Sequence, residues 1–564
     1  MSRPIPAEDD HPVLILGPNP TPNGGMHLGH IAGPYLAGDI YARYQRARGR
    51  RVIFTTGTDD SQTYVVASAR REGVSPEEMC RRSTEQIRSA LNAISISVDG
   101  FGPFDETYRA TVLDYFRALH AAGVFRLKTV PLPYSERTGE FMVEGLIEGD
   151  CPVCLTTSRG GLCETCCHPN NFDQLLDPHS TVDPTDKLTY REATILVLPL
   201  EEYRDQLRTY HERLAEHRRP HVRQMIRELL NRRLQDVPVT FPLAWGIPAP
   251  FPETPGQVLN AWLELMPAGM FTTSYAAEQL GYHTAPGDLW RVEENLRMVH
   301  FLGFDNAYFF CLPHIAMLMA HGDKYIRPES IINNEFYELE STKFSTSKGH
   351  VLSPEELLHE VPRDVIRLYL ALTAPEYQRT TFSRAGLDKI AEERLVGPWN
   401  ELARTLGKAL ANAGTDDTWL PVSAAARARV ATMMERFHLG YEMPTYNLNR
   451  SADGILVQID RLRRRAAAID GIGLSEQVAA WGDLFFEVKA LLALASPILI
   501  DLAAAARAAG AFDGLPDNCP LVAGALDAAE VRPFAPPLLP ADASGASAGS
   551  ARSPVVATEL AGAG

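Results

Sequence analysis

The first sixty residues constrain the fold more tightly than any other stretch. Residues 12–17 (PVLILG) read as a short buried strand, the turn-rich PNPTPNGG follows, and an apolar-periodic helix is expected from about Leu28 to Arg46. A second buried strand, RVIFTTG, ends at Gly57 and runs into Thr58-Asp59-Asp60. Strand, glycine-rich turn, helix and strand in this order open a doubly wound parallel α/β sheet. In such sheets ligands gather at the carboxyl ends of the strands.

The rest of the chain extends that beginning. Residues 68–127 read as mostly helical, a cysteine cluster follows, and an irregular insertion runs to about 190. A long charged helix is expected over roughly 200–234. Short strands and helices return over 239–320, as expected for the second half of a split nucleotide-binding domain. From about 385 to 510 the pattern is long and helical, which predicts a bundle. After 534 the chain is rich in Ala, Ser, Gly and Pro and poor in aromatics, which predicts disorder. No internal repeat is visible. The expected organisation is a Rossmann-type catalytic domain in two halves, 1–135 and 236–384, split by an insertion at 136–235. A helical bundle at 385–533 and a disordered tail at 534–564 complete it.

Composition narrows the functional classes. The 564 residues carry a net charge of −16, with 45% hydrophobic and 22% charged residues. An acidic total excludes indiscriminate coating of nucleic acid, which needs a basic field. The Arg-rich stretches at 217–233 and 461–465 read as solvated helix faces rather than RNA contacts. The start, MSRPIPAEDDHPVLILG, lacks the basic-then-apolar pattern of a signal peptide. No run of about 18 apolar residues could span a bilayer. A cytoplasmic protein without membrane association is the expectation.

Of the eight cysteines, five crowd into 151–167. Cys151-Pro-Val-Cys154 and Cys163-Glu-Thr-Cys166 form two CxxC pairs, a spacing that can wrap four thiolates around one structural Zn2+. A redox role would need only one such pair beside a βαβ unit. Neighbouring Cys167 and His168 leave a swapped ligand open. Cys80, Cys311 and Cys519 read as ordinary core or surface cysteines.

The chemistry begins at Asn23-Gly24-Gly25-Met26-His27-Leu28-Gly29-His30, after a strand and at the start of a helix. The glycines let backbone approach a ligand, and the helix N-terminus favours phosphate. His27 and His30 share a face and can donate hydrogen bonds to a pentacoordinate phosphorus. Far downstream, Lys343-Phe344-Ser345-Thr346-Ser347-Lys348-Gly349-His350 is a small, polar, cationic loop suited to closing over a triphosphate.

Together these stretches resemble the paired signature motifs of class I aminoacyl-tRNA synthetases. The resemblance is to the methionyl-tRNA synthetase branch, as a divergent paralogue, and runs with gaps from about residue 12 to 505. Gly57-Thr58-Asp59-Asp60, Trp245-Gly246-Ile247-Pro248 and His300-Phe301-Leu302-Gly303 match its core motifs. The resemblance implies a ligase that uses ATP and Mg2+ to form an aminoacyl-adenylate. It implies catalytic roles for His27, His30, Lys343 and Lys348. ATP contacts fall to Asn23, Gly24, Gly25, Gly29, Ser345, Thr346 and Ser347. Asp59 would hold the substrate ammonium, with Thr21, Trp262, Asn306 and Phe310 around the side chain. A similar zinc knuckle occupies the family's connective insertion.

The departures matter as much. The family's second motif places a second lysine where this chain has Thr346, although Lys343 and Lys348 remain. Thr21, Met270, Phe304, Asn306 and Phe310 replace family residues around the amino-acid site. In the helical domain Asn400 is kept, but Arg404 and Lys408 stand at later asparagine positions, and no Pro-Trp follows Asp470. These changes predict acyl transfer to a small-molecule acceptor, for example an N-hydroxylated amino acid in hydrazine formation, with a separate cupin-type enzyme as partner. The alternative is a methionine–tRNA ligase charging tRNA(Met). A third class, an inactive regulator that only binds an amino acid or RNA, is disfavoured by the retained His27, His30, Asp59 and Lys343.

Overall fold

The computed structural model describes residues 11–171, 173–340, 342–343, 352–413, 419–515, 519–522 and 524–541, with only the backbone of 342–343, 412–413 and 474–475. Its centre is a five-stranded parallel sheet. The strands are β1 (Val13–Leu16), β2 (Val52–Thr56) and β3 (Gly100–Phe101), then, after the insertion, β6 (Arg297–Gly303) and β7 (Ser330–Asn334). The order is β7-β6-β1-β2-β3, so the connection reverses direction between β1 and β6. A crevice opens there at the carboxyl ends, beside Gly17 and Gly303. All four residues of β1 are buried, as a central strand covered on both faces requires.

The first crossover runs helically from Leu28 to Ala47 but is not one helix. Leu28–His30 is a single turn, Ile31–Tyr35 a π turn, and α1 (Leu36–Ala47) a regular helix. The break falls at Gly33, with ψ −114°, followed by Pro34, which lacks an N–H for the ladder. A β-carbon on Gly33 would lie 2.5 Å from the side-chain Nδ2 of Asn334, so a larger residue would have to displace that side chain at the end of β7.

Two expectations for the insertion are corrected. It is not irregular: β4 (Arg126–Ser135) pairs antiparallel with β5 (Leu188–Leu198) along ten residues, from Leu188 opposite Ser135 to Val197 opposite Arg126. β4 therefore belongs with the insertion rather than with the first catalytic half. The single helix expected over 200–234 is two, Arg204–Arg213 and Pro220–Leu230, because Pro220 starts a new helix where an old one cannot continue.

The second half supplies α2 (Ala261–Gln279), and the bundle consists of α3 (Gly397–Ala413), α4 (Ala424–Tyr441), α5 (Leu448–Ile469), α6 (Leu474–Ala495) and α7 (Ile500–Ala508). Two buried ion pairs outside the bundle also bond its backbone and so tie it to the rest of the chain. Arg367 bonds Asp39 at 2.7 Å with both side chains at 0% exposure, and also donates to the carbonyls of Ile94, Pro497 and Ile498. Glu376 accepts from Arg219 at 2.7 Å and from the Leu448 and Asn449 amides at the start of α5. The reading of the tail as disordered fails for 534–541. The Trp399 indole donates to the Pro537 carbonyl at 2.9 Å, and Asn400 exchanges two 2.8 Å hydrogen bonds with the Leu539 backbone. Residues 542–564 lie outside the described residues. Among those described, no helix is long and apolar enough to cross a membrane.

Candidate active site and metal centre

The turn after β1 carries Thr21, Asn23, Gly24 and Gly25, all half-buried, ahead of His27. His27 caps the short helical turn: its Nδ1 accepts from the Gly29 amide at 3.1 Å. The His27 amide in turn donates to His30 Nδ1 at 3.3 Å, and the two rings stack at 3.9 Å. A ring that accepts through Nδ1 carries its proton on Nε2, so both imidazoles act as Nε2–H donors. Displacement of water by the surrounding protein lowers the pKa of His30.

Backbone ties the chain just beyond the second signature stretch to the His27 turn: the Leu28 amide donates to the Leu352 carbonyl at 3.0 Å. At the near end, Thr342–Lys343 pairs antiparallel with Tyr337–Leu339. Of the residues expected to clasp the triphosphate there, Lys343 is placed by its backbone. Ser345, Thr346, Ser347 and Lys348 lie outside the described residues.

Asp59 follows β2 and is 2% exposed, with its amide fixed to the Pro20 carbonyl at 3.1 Å. Its Oδ1 has no hydrogen-bond partner. Burial first, then the nearby Glu264, raises its pKa well above the usual carboxylate range. Glu264 on α2 is 0% exposed; Tyr108 Oη and Ser61 Oγ donate to its Oε1 at 2.7 and 3.0 Å, while Oε2 is unpartnered. Burial pushes the Glu264 carboxyl up to about 7 and that of Glu144 up to about 8. Asp59 and Glu264 each keep an unpartnered carboxyl oxygen, chemistry suited to a compact cation, which would restore the charged form.

A cavity of about 30 Å³ lies at the β1–β6 crevice, walled by Gly17, Asn19, Met266, His300, Phe310 and His314. Of the four side-chain contacts expected from sequence, only Phe310 lines it. Trp262 instead stacks on Phe309 at 4.6 Å, and Asn306 donates to the Asp305 carboxylate at 2.9 Å. Thr21 stays in the turn after β1. Sequence reasoning missed His300 and His314 as wall residues and Glu264 as the carboxyl near Asp59. The signal for Glu264 and His314 was a lone polar residue in an apolar run, AWLELMPAGM and LPHIAML. His300 has neither ring nitrogen paired, and burial lowers its pKa to about 3. His314 bonds the Trp262 carbonyl through Nε2 at 2.7 Å, and burial lowers its pKa to about 4.

The cysteine prediction is met geometrically. The Sγ atoms of Cys151, Cys154, Cys163 and Cys166 all lie within 4.8 Å of one another. Cys151 and Cys166 are 3.7 Å apart and Cys154 and Cys163 3.6 Å apart. A tetrahedral zinc with Zn–S bonds of about 2.3 Å requires sulfur separations of about 3.8 Å. The Val153 amide donates to Cys151 Sγ at 3.4 Å, as suits a thiolate. The cluster fits a closed structural zinc. Neither Cys167 nor His168 swaps in: Cys167 points away, and His168 bonds the Cys166 carbonyl.

Comparison with known proteins agrees with this geometry. The profile of the family described as tRNA synthetases class I (M) matches residues 13–406. A methionine–tRNA ligase of Salinibacter ruber is 32% identical over 496 residues, 85% of this chain and 64% of that protein. One from Porphyromonas gingivalis is 33% identical over 375 residues, covering 66% and 54%. The chain thus spans between half and two thirds of the length of these relatives. Among solved structures, a Mycobacterium tuberculosis methionyl-tRNA synthetase bound by methionyl-adenylate superposes with a TM-score of 0.72 at 20% identity. That match covers 94% of this chain and 99% of the other, and shows a shared fold. None of these relatives is named for a small-molecule acceptor or a cupin-type partner.

Proposed function

Because the chain belongs to the class I tRNA synthetases (M), we propose that it activates an amino acid with ATP and then esterifies that amino acid onto tRNA, with methionine and tRNA(Met) the simplest pair. In the first step a carboxylate oxygen of the amino acid attacks the α-phosphorus of ATP, and pyrophosphate leaves. In the second, a terminal ribose hydroxyl of tRNA attacks the acyl carbon, and AMP leaves. The observation that carries this reading is the buried Asp59, whose Oδ1 has no hydrogen-bond partner, beside Glu264, in a chain that also carries the stacked donor pair His27–His30 after β1. The carboxyls would fix the ammonium, and the two Nε2–H groups would stabilise charge developing on phosphate oxygens. Mg2+ would neutralise the triphosphate. The conserved fold and the relatives' names support the tRNA acceptor.

One observation favours a second reading, transfer to a small molecule. Asn400, the position that the resemblance assigns to anticodon recognition, is sealed by the Leu539 backbone. Charging of total tRNA with a labelled amino acid separates the two. Acid-precipitable methionine on tRNA supports the first reading. Adenylate formation without charging of any tRNA supports the second and contradicts the first.

A further inference from the structure

We infer that Cys167 is a positioning residue through which the zinc knuckle sets the turn Phe304–Tyr308 that leads to the cavity residue Phe310. The second CxxC turn closes with the Cys167 amide bonded to the Cys163 carbonyl at 2.8 Å, and the Cys163 amide bonded to the His168 carbonyl at 3.1 Å. Closing the turn this way puts Cys167 at φ +56°, in the left-handed region that glycine occupies without steric cost. A side chain there is turned away from the four metal-facing sulfurs, and that of Cys167 is fully buried.

What the thiol touches gives the strained position a use. Cys167 Sγ donates to the Phe304 carbonyl at 3.1 Å and accepts from the Tyr308 amide at 3.2 Å. Phe304–Asn306 is the turn that leaves β6 at the crevice, and Tyr308 lies in the first turn of the helix Ala307–Cys311. An amide in a first helical turn has no partner within its own helix, so the sulfur supplies one. The same short segment carries Asp305, Asn306 and the cavity residue Phe310. The insertion grips it at two further points: His221 stacks on Phe304 at 3.8 Å, and His211 bonds the Cys311 carbonyl at 2.7 Å. Of the three contacts, only Cys167 is covalently continuous with a metal-binding turn. Four thiolates that would hold zinc fix the turn, the turn fixes Cys167, and Cys167 fixes the segment that carries the cavity residue Phe310. The consequence for ligand affinity rests on the adenylation reading; the mechanical coupling does not.

Hydrogen exchange of peptides spanning 304–311 tests the coupling in the full chain, alongside metal analysis. Cys167→Gly keeps the left-handed turn and removes both hydrogen bonds, whereas Cys167→Ser retains a donor and an acceptor. Removing zinc from the wild type should speed exchange of this segment about fivefold, the scale of one lost hydrogen bond. Cys167→Gly should keep its zinc, exchange as fast as the zinc-free wild type, and change no further on chelation. Cys167→Ser should stay near the wild type. In pyrophosphate exchange, Cys167→Gly should raise a substrate KM with kcat little changed. Wild-type protection of 304–311 in zinc-loaded Cys167→Gly would overturn the inference. So would equal acceleration on chelation in both proteins, or zinc loss in Cys167→Gly, which would make Cys167 a ligand. Absence of any pyrophosphate exchange by the wild type would sink the adenylation reading and leave the protection result standing.

Discussion

Glu264→Gln offers a quantitative check on the buried carboxyls. The Glu264 side chain is fully buried, and folding raises its pKa from 4.5 to about 7. A carboxyl raised on folding holds its proton more firmly in the native chain than in the unfolded one. The stability this confers is fully present below pH 4.5 and is lost as pH climbs through about 7. A shift of that size corresponds to about 3 kcal/mol, of which about 2 kcal/mol falls between pH 5.5 and 8.5. Glutamine keeps an oxygen for Tyr108 and Ser61 and does not titrate. For a chain of 564 residues the unfolding entropy is about 1.2 kcal/mol/K, so the difference amounts to roughly 2 °C in melting midpoint. Scanning fluorimetry of both proteins should show Glu264→Gln gaining about 2 °C on the wild type between pH 5.5 and 8.5. A constant offset across that range, or one that shrinks as pH rises, would refute the reasoning.

Asp59→Asn removes the charge that the ammonium would meet. Its kcat/KM for the amino acid in pyrophosphate exchange should fall about 30- to 1,000-fold, the range for breaking a buried charge pair, while the melting midpoint does not fall. His27→Ala should lower kcat by about 10²–10³ with little change in the amino-acid KM, because a donor to developing phosphate charge acts in the transition state. Arg367→Ala leaves Asp39 buried without its 2.7 Å partner and frees three carbonyls. It should cost about 3–5 kcal/mol, seen as a midpoint lowered by roughly 3–4 °C or as insoluble expression.

What the sequence made legible was local. The order of strand, glycine turn and helix over residues 12–57 announced the sheet, because periodicity and turn chemistry are written in neighbouring residues. The knuckle was legible for the same reason, since four ligands at fixed spacing need no distant partner. The pairing of β4 with β5 was hidden because it joins residues about fifty positions apart. The Asn400–Leu539 clasp spans still more chain, and a tail rich in Ala and Pro gives no local sign of a docking site. The amino-acid site was half legible. Asp59 was named by the family resemblance, whereas Glu264 comes near it, and His300 and His314 become cavity walls, only through tertiary packing. Trp262 stacks on Phe309, a contact no helical spacing foretells.

The central claim is that buried Asp59 and the His27–His30 turn together form an aminoacyl-adenylate. ATP–pyrophosphate exchange measured with each of the twenty amino acids, on wild type and Asp59→Asn in parallel, tests it most directly. The account predicts exchange that depends on an amino acid, methionine first among them, and that collapses in Asp59→Asn. Exchange with none of them, or exchange indifferent to the Asp59 substitution, would contradict it.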